Sequence, residues 1–420
     1  MRAYLRQIDP QLPRDVWLLQ LGGVVNSFGN GVVFPFLAIY LHDVRGFGLA
    51  TAGIALAISS AMQMAAVLAL GPLIDRIGAR TTLAAGLILQ AGGFGLLPLV
   101  REPWQAYALM AVEGLGAAAF WPSQSTLISA LTPQPRRHAA FAQQRVTMNL
   151  GIGLGGLTGG LIASVADPTT FTVLFVLDAA TFFAYVAVLL LVREPPREPL
   201  GVEAQPGSYR DVLGHRVFLG LWTLNFLFVA FGYSLLNLLP PFATEHSGVT
   251  ERQIGVIFFL NTIVIVVMQL PISRLIEGRR RMRALALMPL LWAGAWLIVD
   301  GAGYWLEATP AFVAFALAVA LIGIGECFHG PAHQALVADL ASDRLRGRYF
   351  SVHSASWGVG GAVGPALGGL LLETAPFVLW PLASAVCLGA AAGALALERA
   401  VPGRLRRIPV ARFEPAPVEA

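Results

Sequence analysis

Apolar positions in this chain do not alternate with polar ones and do not form narrow stripes. They come in near-continuous runs, each long enough to cross the ~30 Å hydrocarbon core of a bilayer as a helix. Twelve such runs can be read, at residues 16–41, 49–71, 82–100, 104–131, 139–165, 170–192, 217–240, 252–273, 284–302, 310–338, 349–372 and 377–398. The polar start carries Arg2, Arg6 and Arg14 ahead of the first run. That run is too long for a signal-peptide core, and no small-residue cleavage site follows it, so it counts as the first span. The pattern predicts an all-α polytopic membrane protein with twelve transmembrane helices.

The polar connections add a direction. Alternate connections divide the arginines 25 against 3, with only Arg45, Arg101 and Arg252 on the sparse side. Positive residues favour the cytoplasmic face, so both termini are expected there. The connection at 193–216 is rich in Pro and charge and contains no spanning run, which marks a cytoplasmic linker between six-span halves at 1–192 and 217–400. The segment 401–420 reads as a disordered cytoplasmic tail lying against anionic headgroups.

The halves share a repeat. Sliding the chain by 209 positions superposes Gly114-Leu-Gly116 on Gly323-Ile-Gly325, Pro122 on Pro331, Arg137 on Arg346 and Phe141 on Phe350. It also brings Gly151, Gly155, Gly159 and Gly160 onto Gly360, Gly364, Gly368 and Gly369, and 12 of the 48 positions from Gly114 to Leu161 are identical. The matched segments are spans 4–5 and 10–11, which run the same way through the membrane, and parallel repeats of this kind are a recurrent transporter design.

Composition agrees and narrows the function. With 56% hydrophobic and 12% charged residues and a mean hydropathy of +0.68, the chain lies far from soluble proteins. Net charge +4 is carried in short clusters between spans, which reads as topology and argues against a nucleic-acid partner. Cys327 and Cys387 fall inside apolar runs, so no disulfide framework is expected. No Walker-type phosphate loop, metal-ligand cluster or nucleophile motif occurs. No enzyme activity, cofactor or metal is therefore expected, and energy must come from ion gradients rather than ATP.

Between spans 2 and 3 stands Gly71-Pro-Leu-Ile-Asp75-Arg76-Ile-Gly78-Ala-Arg80. Physically it is a tight turn in which Gly78 permits a positive φ, Asp75 can face a helix N-terminus, and Arg76 and Arg80 anchor in headgroups. It resembles the signature loop of the major facilitator superfamily, and Gly151 to Gly160 resembles the span 5 motif of the bacterial drug:proton antiporters of that superfamily. The resemblance implies the major facilitator fold of two pseudo-symmetric six-helix bundles. It further implies a monomeric alternating-access transporter exchanging protons for drug-like or amphipathic small molecules, with a facilitator or proton symporter of a small metabolite as the alternative. It implies a gating role for Gly71, Asp75, Arg76, Gly78 and Arg80, which would latch the halves. Span 4 departs from the pattern, with Met110 where many proton-coupled exporters carry arginine.

Charged groups within a bilayer are costly and mark function. Glu326 lies near the middle of span 10, with His329 and His333 on the same helical face. Glu326, Glu113 on span 4 and His329 are the proton-coupling candidates, and the family arrangement places the two carboxyls facing each other across a cavity. Asp178 on span 6 is expected to make a structural bond within its half. Polar and aromatic side chains on cavity-lining helices give the substrate candidates: Asn26, Asn30, Phe34, Phe120, Gln124, Asn225, Tyr233, Asn237 and His333, with Trp121 and Trp357 as further aromatic wall. Gly155, Gly159, Gly364 and Gly368, at four-residue spacing, should let helices 5 and 11 pack closely and slide as the halves rock, with Pro365 as a bend point.

Overall fold

The computed structural model describes residues 12–164, 166–193 and 208–410. Twelve long helices follow one another, and their ends lie close to the apolar runs: α1 Arg14–Val33, α2 Leu49–Ile77, α3 Ala79–Gly95, α4 Pro103–Leu131, α5 Arg137–Ile162, α6 Thr169–Leu191, α7 Arg216–Phe231, α8 Glu251–Leu275, α9 Arg281–Trp305, α10 Ala308–Glu326, α11 Arg346–Thr374 and α12 Pro376–Leu397. Among the described residues nine helices are long and apolar enough to cross a membrane by length and composition. The other three are α1, α4 and α5, which carry the buried amides Gln20, Asn26, Gln124, Gln143 and Gln144 on their inner faces. The expected linker falls largely on 194–207, outside the described residues.

Helices α1 to α6 form one lobe and α7 to α12 the other. Glycines set the closest approaches inside each. On α5, Gly151, Gly155 and Gly159 lie against the α1 backbone at Val24, Phe28 and Val32. On α11, Gly360, Gly364 and Gly368 lie in the same way against α7 and its continuation at Phe226, Ala230 and Leu235. Each glycine thus has a repeat mate that packs on the first helix of its own lobe, so the sequence repeat is also a repeat of packing. This corrects one expectation: the glycines bind α5 to α1 and α11 to α7 within a lobe, because a missing Cβ is what allows two inner helices of one bundle to touch. They do not form the sliding surface between lobes. The lobes meet along α2 with α11 and α5 with α8.

Charged and breaking residues shape the ends. Gly78 adopts φ +102° and ends α2, which forces the reversal into α3. Arg80 reaches back to donate to the Val192 carbonyl at 2.9 Å, tying α3 to the end of α6. Asp178 is buried within its lobe beside Thr181, close to the α1 backbone at Gly29. The C-terminal segment differs from expectation. Residues 401–410 are ordered against the α8–α9 turn, with Val401, Leu405 and Ile408 buried and an antiparallel bridge between Arg280 and Arg407. Three apolar side chains spaced through the arginines give this segment a buried face that its charge count conceals. Residues 411–420 lie outside the described residues.

The glycine contacts lead to a test on one helix. Gly364 has the Ala230 backbone and Ser234 within contact of any added Cβ, whereas Gly369 has open space there. Gly364→Ala should cost about 1–3 kcal/mol and lower the thermal unfolding temperature of the detergent-purified protein, while Gly369→Ala leaves it near the native value. Equal melting temperatures for the two variants would show that the packing is not tight.

Candidate functional site

The site begins where α10 stops being a regular α-helix. Glu326 closes α10, and His329–Gln334 continues it as a π-helical turn before a short α-helix at Ala335–Leu340. Pro331 has no N–H to give the carbonyl four residues back, which is that of Cys327. The fully buried Gln269 on α8 donates its amide to that carbonyl at 2.8 Å instead, and the Trp292 indole donates to the Ile322 carbonyl at 3.0 Å. Irregular backbone is tolerated in a membrane only where side chains satisfy it in this way. Helix α7 breaks similarly at Gly232, where a side chain would run into Trp292, and restarts as a 3-10 helix from Tyr233 to Leu238.

These breaks deliver Glu326 and Tyr233 to a cavity of about 620 Å³ between the lobes. From the other lobe, α5 delivers Arg145. Its guanidinium pairs with the Glu326 carboxylate and lies 5.3 Å from the centre of the Tyr233 ring. The pair has 19% and 3% of its side chains exposed, so it is an ion pair inside the membrane that joins the two lobes. Beside it His329 donates to the Asn225 amide oxygen at 2.7 Å, Asn225 donates to Ser356 Oγ at 2.7 Å, and His333 donates to the Leu221 carbonyl at 2.9 Å. The rings of His329 and His333 stack at 4.9 Å, and His353 on α11 lies 5.2 Å beyond His333. His353 is buried, lines the cavity, and has neither ring nitrogen hydrogen-bonded. Trp121, Trp357, Met64 and Met148 supply much of the remaining wall.

Of the predicted residues, the structure gathers Glu326, His329, Tyr233, Trp121 and Trp357 around the cavity. Glu113 is elsewhere. It points between α2 and α3, accepts the Ser59 hydroxyl and packs on Gly93, so it does not face Glu326. The turn of α4 directs that residue into its own lobe. Phe120 and Gln124 follow it inward: Gln124 donates to the Tyr185 hydroxyl at 3.0 Å and accepts from Gln144 at 2.7 Å. Asn26 is buried and Asn30 half-buried on α1 away from the cavity wall, Phe34 is 65% exposed on the outer surface, and Asn237 is exposed. Asn225 and His333 stand one layer behind the wall. Pro365 lies within α11, one residue from the Gly364 contact with α7.

The arginine-rich end of the cavity is closed. Phe141 and Phe350, repeat mates, approach to 6.2 Å between ring centres, and Gly330 lies against the Phe141 backbone. Outside this floor Asp75 crosses from α2 to the start of α11, accepting the Gly347 amide at 2.8 Å and Arg348 Nη1 at 2.7 Å. The acceptor sits at a helix N-terminus, where negative charge is favoured. Close approach there needs Gly71, because a Cβ on it would lie 2.9 Å from the Arg348 backbone. Arg76 is exposed beside this contact. The other lobe repeats the device. Glu277, in the α8–α9 turn, accepts His138 Nε2 at 3.1 Å and Arg274 at 2.9 Å, and residue 138 is the repeat mate of residue 347. Burial raises the Glu277 pKa, but His138 and Arg274 outweigh it and leave the carboxyl below its ordinary value, hence ionised near neutral pH. Asp339 completes this end, bridging Arg137 at 2.9 Å and Arg281 at 2.8 Å.

Two lobes related by a repeat, broken helices at mid-membrane, and a signature loop latching them from α2 to α11 point to one superfamily. Its sequence profile, the Major Facilitator Superfamily, matches residues 19–306 and 221–419. The chain belongs to the Major Facilitator Superfamily. It is an integral membrane transporter and not an enzyme. Among curated proteins it is similar to the multidrug resistance protein MdtH of Cronobacter sakazakii, 27% identical over 393 residues covering 89% of this chain and 91% of the relative. The MdtH of Klebsiella pneumoniae strain 342 is 26% identical over 388 residues, covering 89% and 90%. Solved structures share the fold. A bacterial homologue of the iron transporter ferroportin in an outward-facing state matches with TM-score 0.75 at 14% identity, covering 92% of this chain and all of that one. The E. coli fucose:proton symporter matches with TM-score 0.70 at 16% identity, covering 90% and 98%.

Arg145 and His353 are the titratable cavity residues that sequence reading missed. Arg145 is legible in that it lies inside the fifth apolar run, where an arginine demands a partner, although its nearness to Arg136 and Arg137 makes it read as a flanking residue. His353 had a weaker signal, a histidine just inside a span. Because breaking a buried pair leaves one charge uncompensated, Arg145→Met and Glu326→Met should each destabilise by about 3–5 kcal/mol, and the double variant by less than either. Thermal unfolding of the three purified variants checks this; additive losses would show that the two groups do not interact.

Proposed function

We propose that this protein is a proton-coupled exporter of drug-like, amphipathic small molecules in the bacterial cytoplasmic membrane, with both termini in the cytoplasm. The observation that carries the reading is the Arg145–Glu326 pair, the charged contact that ties the lobes inside the cavity itself. Protonation of Glu326 removes its charge and frees Arg145, which loosens one tie between lobes and exposes a guanidinium to the bound substrate. Deprotonation restores the tie. Proton movement and lobe movement are then one event, which is what exchange by alternating access requires. His329 lines the same cavity three residues on from Glu326 and is held by Asn225.

The wall supports the substrate class. Trp121, Trp357, Tyr233 and the two methionines offer flat and adaptable apolar surface, and the relatives carry the name multidrug resistance protein. A sugar-sized polar metabolite would find along most of this wall no partner for its hydroxyl groups, which sets the symporter alternative behind. With the arginine-rich end in the cytoplasm, the closed floor at Phe141 and Phe350 makes this conformation one that is shut toward the cytoplasm, held by Asp75 and Glu277.

Inverted membrane vesicles with an acidic interior provide the test. Vesicles containing the native protein should accumulate a fluorescent amphipathic aromatic dye, lose that accumulation when nigericin collapses the pH gradient, and show none with Glu326→Gln. Accumulation that ignores nigericin, or that survives Glu326→Gln, would sink proton coupling through this residue.

A further inference from the structure

The C-terminal segment is a strap on the gate. After α12 the chain turns back under the second lobe and lays residues 401–410 along the α8–α9 turn. The Gly278 amide donates to the Ile408 carbonyl at 2.9 Å, the Ile408 amide to the Arg279 carbonyl at 3.0 Å, and the Arg281 amide to the Arg406 carbonyl at 2.7 Å. Arg407 adds a side-chain bond to the Gly278 carbonyl at 2.9 Å, and Glu398 pairs with Arg280 at 2.8 Å. Val401, Leu405 and Ile408 are at most 2% exposed, so the segment is seated by apolar burial as well as by backbone bonds.

What the strap holds is the part of the second lobe that reaches across to the first. Glu277 immediately precedes the strapped residues and bonds His138; Arg281 is the last of them and bonds Asp339, which holds Arg137. Arg137 and His138 are adjacent at the start of α5. Both ends of the strapped turn therefore act on one point of the opposite lobe. The first-lobe latch has a different support: the Asp75 turn is fixed by Gly78 between two long helices, with Tyr209 donating to the Leu68 carbonyl of α2.

We infer that the 401–410 strap positions Glu277 for its cross-lobe contact with His138, and Arg281 for its hold on Asp339, which pairs with Arg137 across the lobes, and so sets how firmly the arginine-rich side of the cavity is shut. The fold supplies a gate with two latches, of which one depends on the tail. Removing the strap leaves the twelve helices in place and loosens the closure at α5 alone. This inference concerns gating and does not depend on which molecule is carried or on proton coupling.

The test uses a chain with Cys327 and Cys387 replaced by alanine and Ser354→Cys as its single cysteine, a position that lines the cavity one turn beyond Phe350 on α11. In vesicles exposing the arginine-rich side, its labelling rate with an impermeant maleimide reads the opening of that side. Termination after Val401 removes the three backbone bonds together with the buried Leu405 and Ile408, and Ile408→Pro removes one donor and one buried side chain. With each bond worth about 1 kcal/mol, termination should speed labelling roughly tenfold or more, and Ile408→Pro several-fold. Glu277→Gln combined with Arg281→Met should reproduce the truncation, and adding the truncation to that pair should give no further increase, while Asp75→Asn should add to it. Native labelling rates in a truncated or Ile408→Pro protein that elutes as folded would overturn the inference, as would a truncation effect that adds in full to Glu277→Gln and Arg281→Met. Should truncation prevent folding, the Ile408→Pro rate decides alone.

Discussion

A charge inside a bilayer needs a partner, and here the partner belongs to the other lobe. Roughly several kcal/mol of desolvation per ion must be offset by geometry, and among the described residues neither Arg145 nor Glu326 is paired with an opposite charge within its own half. The fold can bury both groups only by bringing α5 and α10 together at the cavity. This constraint makes the closed arrangement cohesive at its centre, and the latches at the arginine-rich end add to a contact that already exists. Anything that neutralises one member changes the relation between the lobes as well as the local pocket.

Backbone obeys the same rule as charge. The π-helical turn after Glu326 leaves a carbonyl without its helical donor, and Gln269 is buried on α8 to supply one. Tyr233 reaches the cavity because α7 breaks at Gly232, against the indole of Trp292, which in turn satisfies a carbonyl of α10. The irregular turns that aim the functional side chains are therefore held by α8 and α9, helices that contribute nothing to the cavity wall. Their own buried amide and indole groups are explained by this service.

Much of this was legible from residue order. Spans, repeat and latch loop follow from apolar run length, arginine placement and the 209-residue offset, because a membrane restricts a chain to few solutions. Glu326 and the aromatic wall were legible for the same reason. Three things were not. Helix rotation sent Glu113, Phe120 and Gln124 into their own lobe, and rotation depends on packing partners that no single helix encodes. The partner of Glu326 is masked because Arg145 follows Arg136 and Arg137 closely enough to read as a boundary residue. The tail was judged by its charge, although Val401, Leu405 and Ile408 gave it a face to bury.

The repeat itself explains why one pair, rather than two, spans the cavity. Under the 209-residue offset Glu326 has Ala117 as its mate and Arg145 has Ser354, both of which line the same cavity. Asp339 has Ala130, and His353 has Gln144. A cavity that kept perfect symmetry with these charges would hold two crossed pairs, and two protons would be needed to free it. Divergence has left one acid and one base, contributed by different lobes, each opposite a small uncharged mate. On the proposed cycle a single protonation is then sufficient to release the central tie, and the loss of symmetry between the halves is what turns a symmetric clamp into a device that one proton can work.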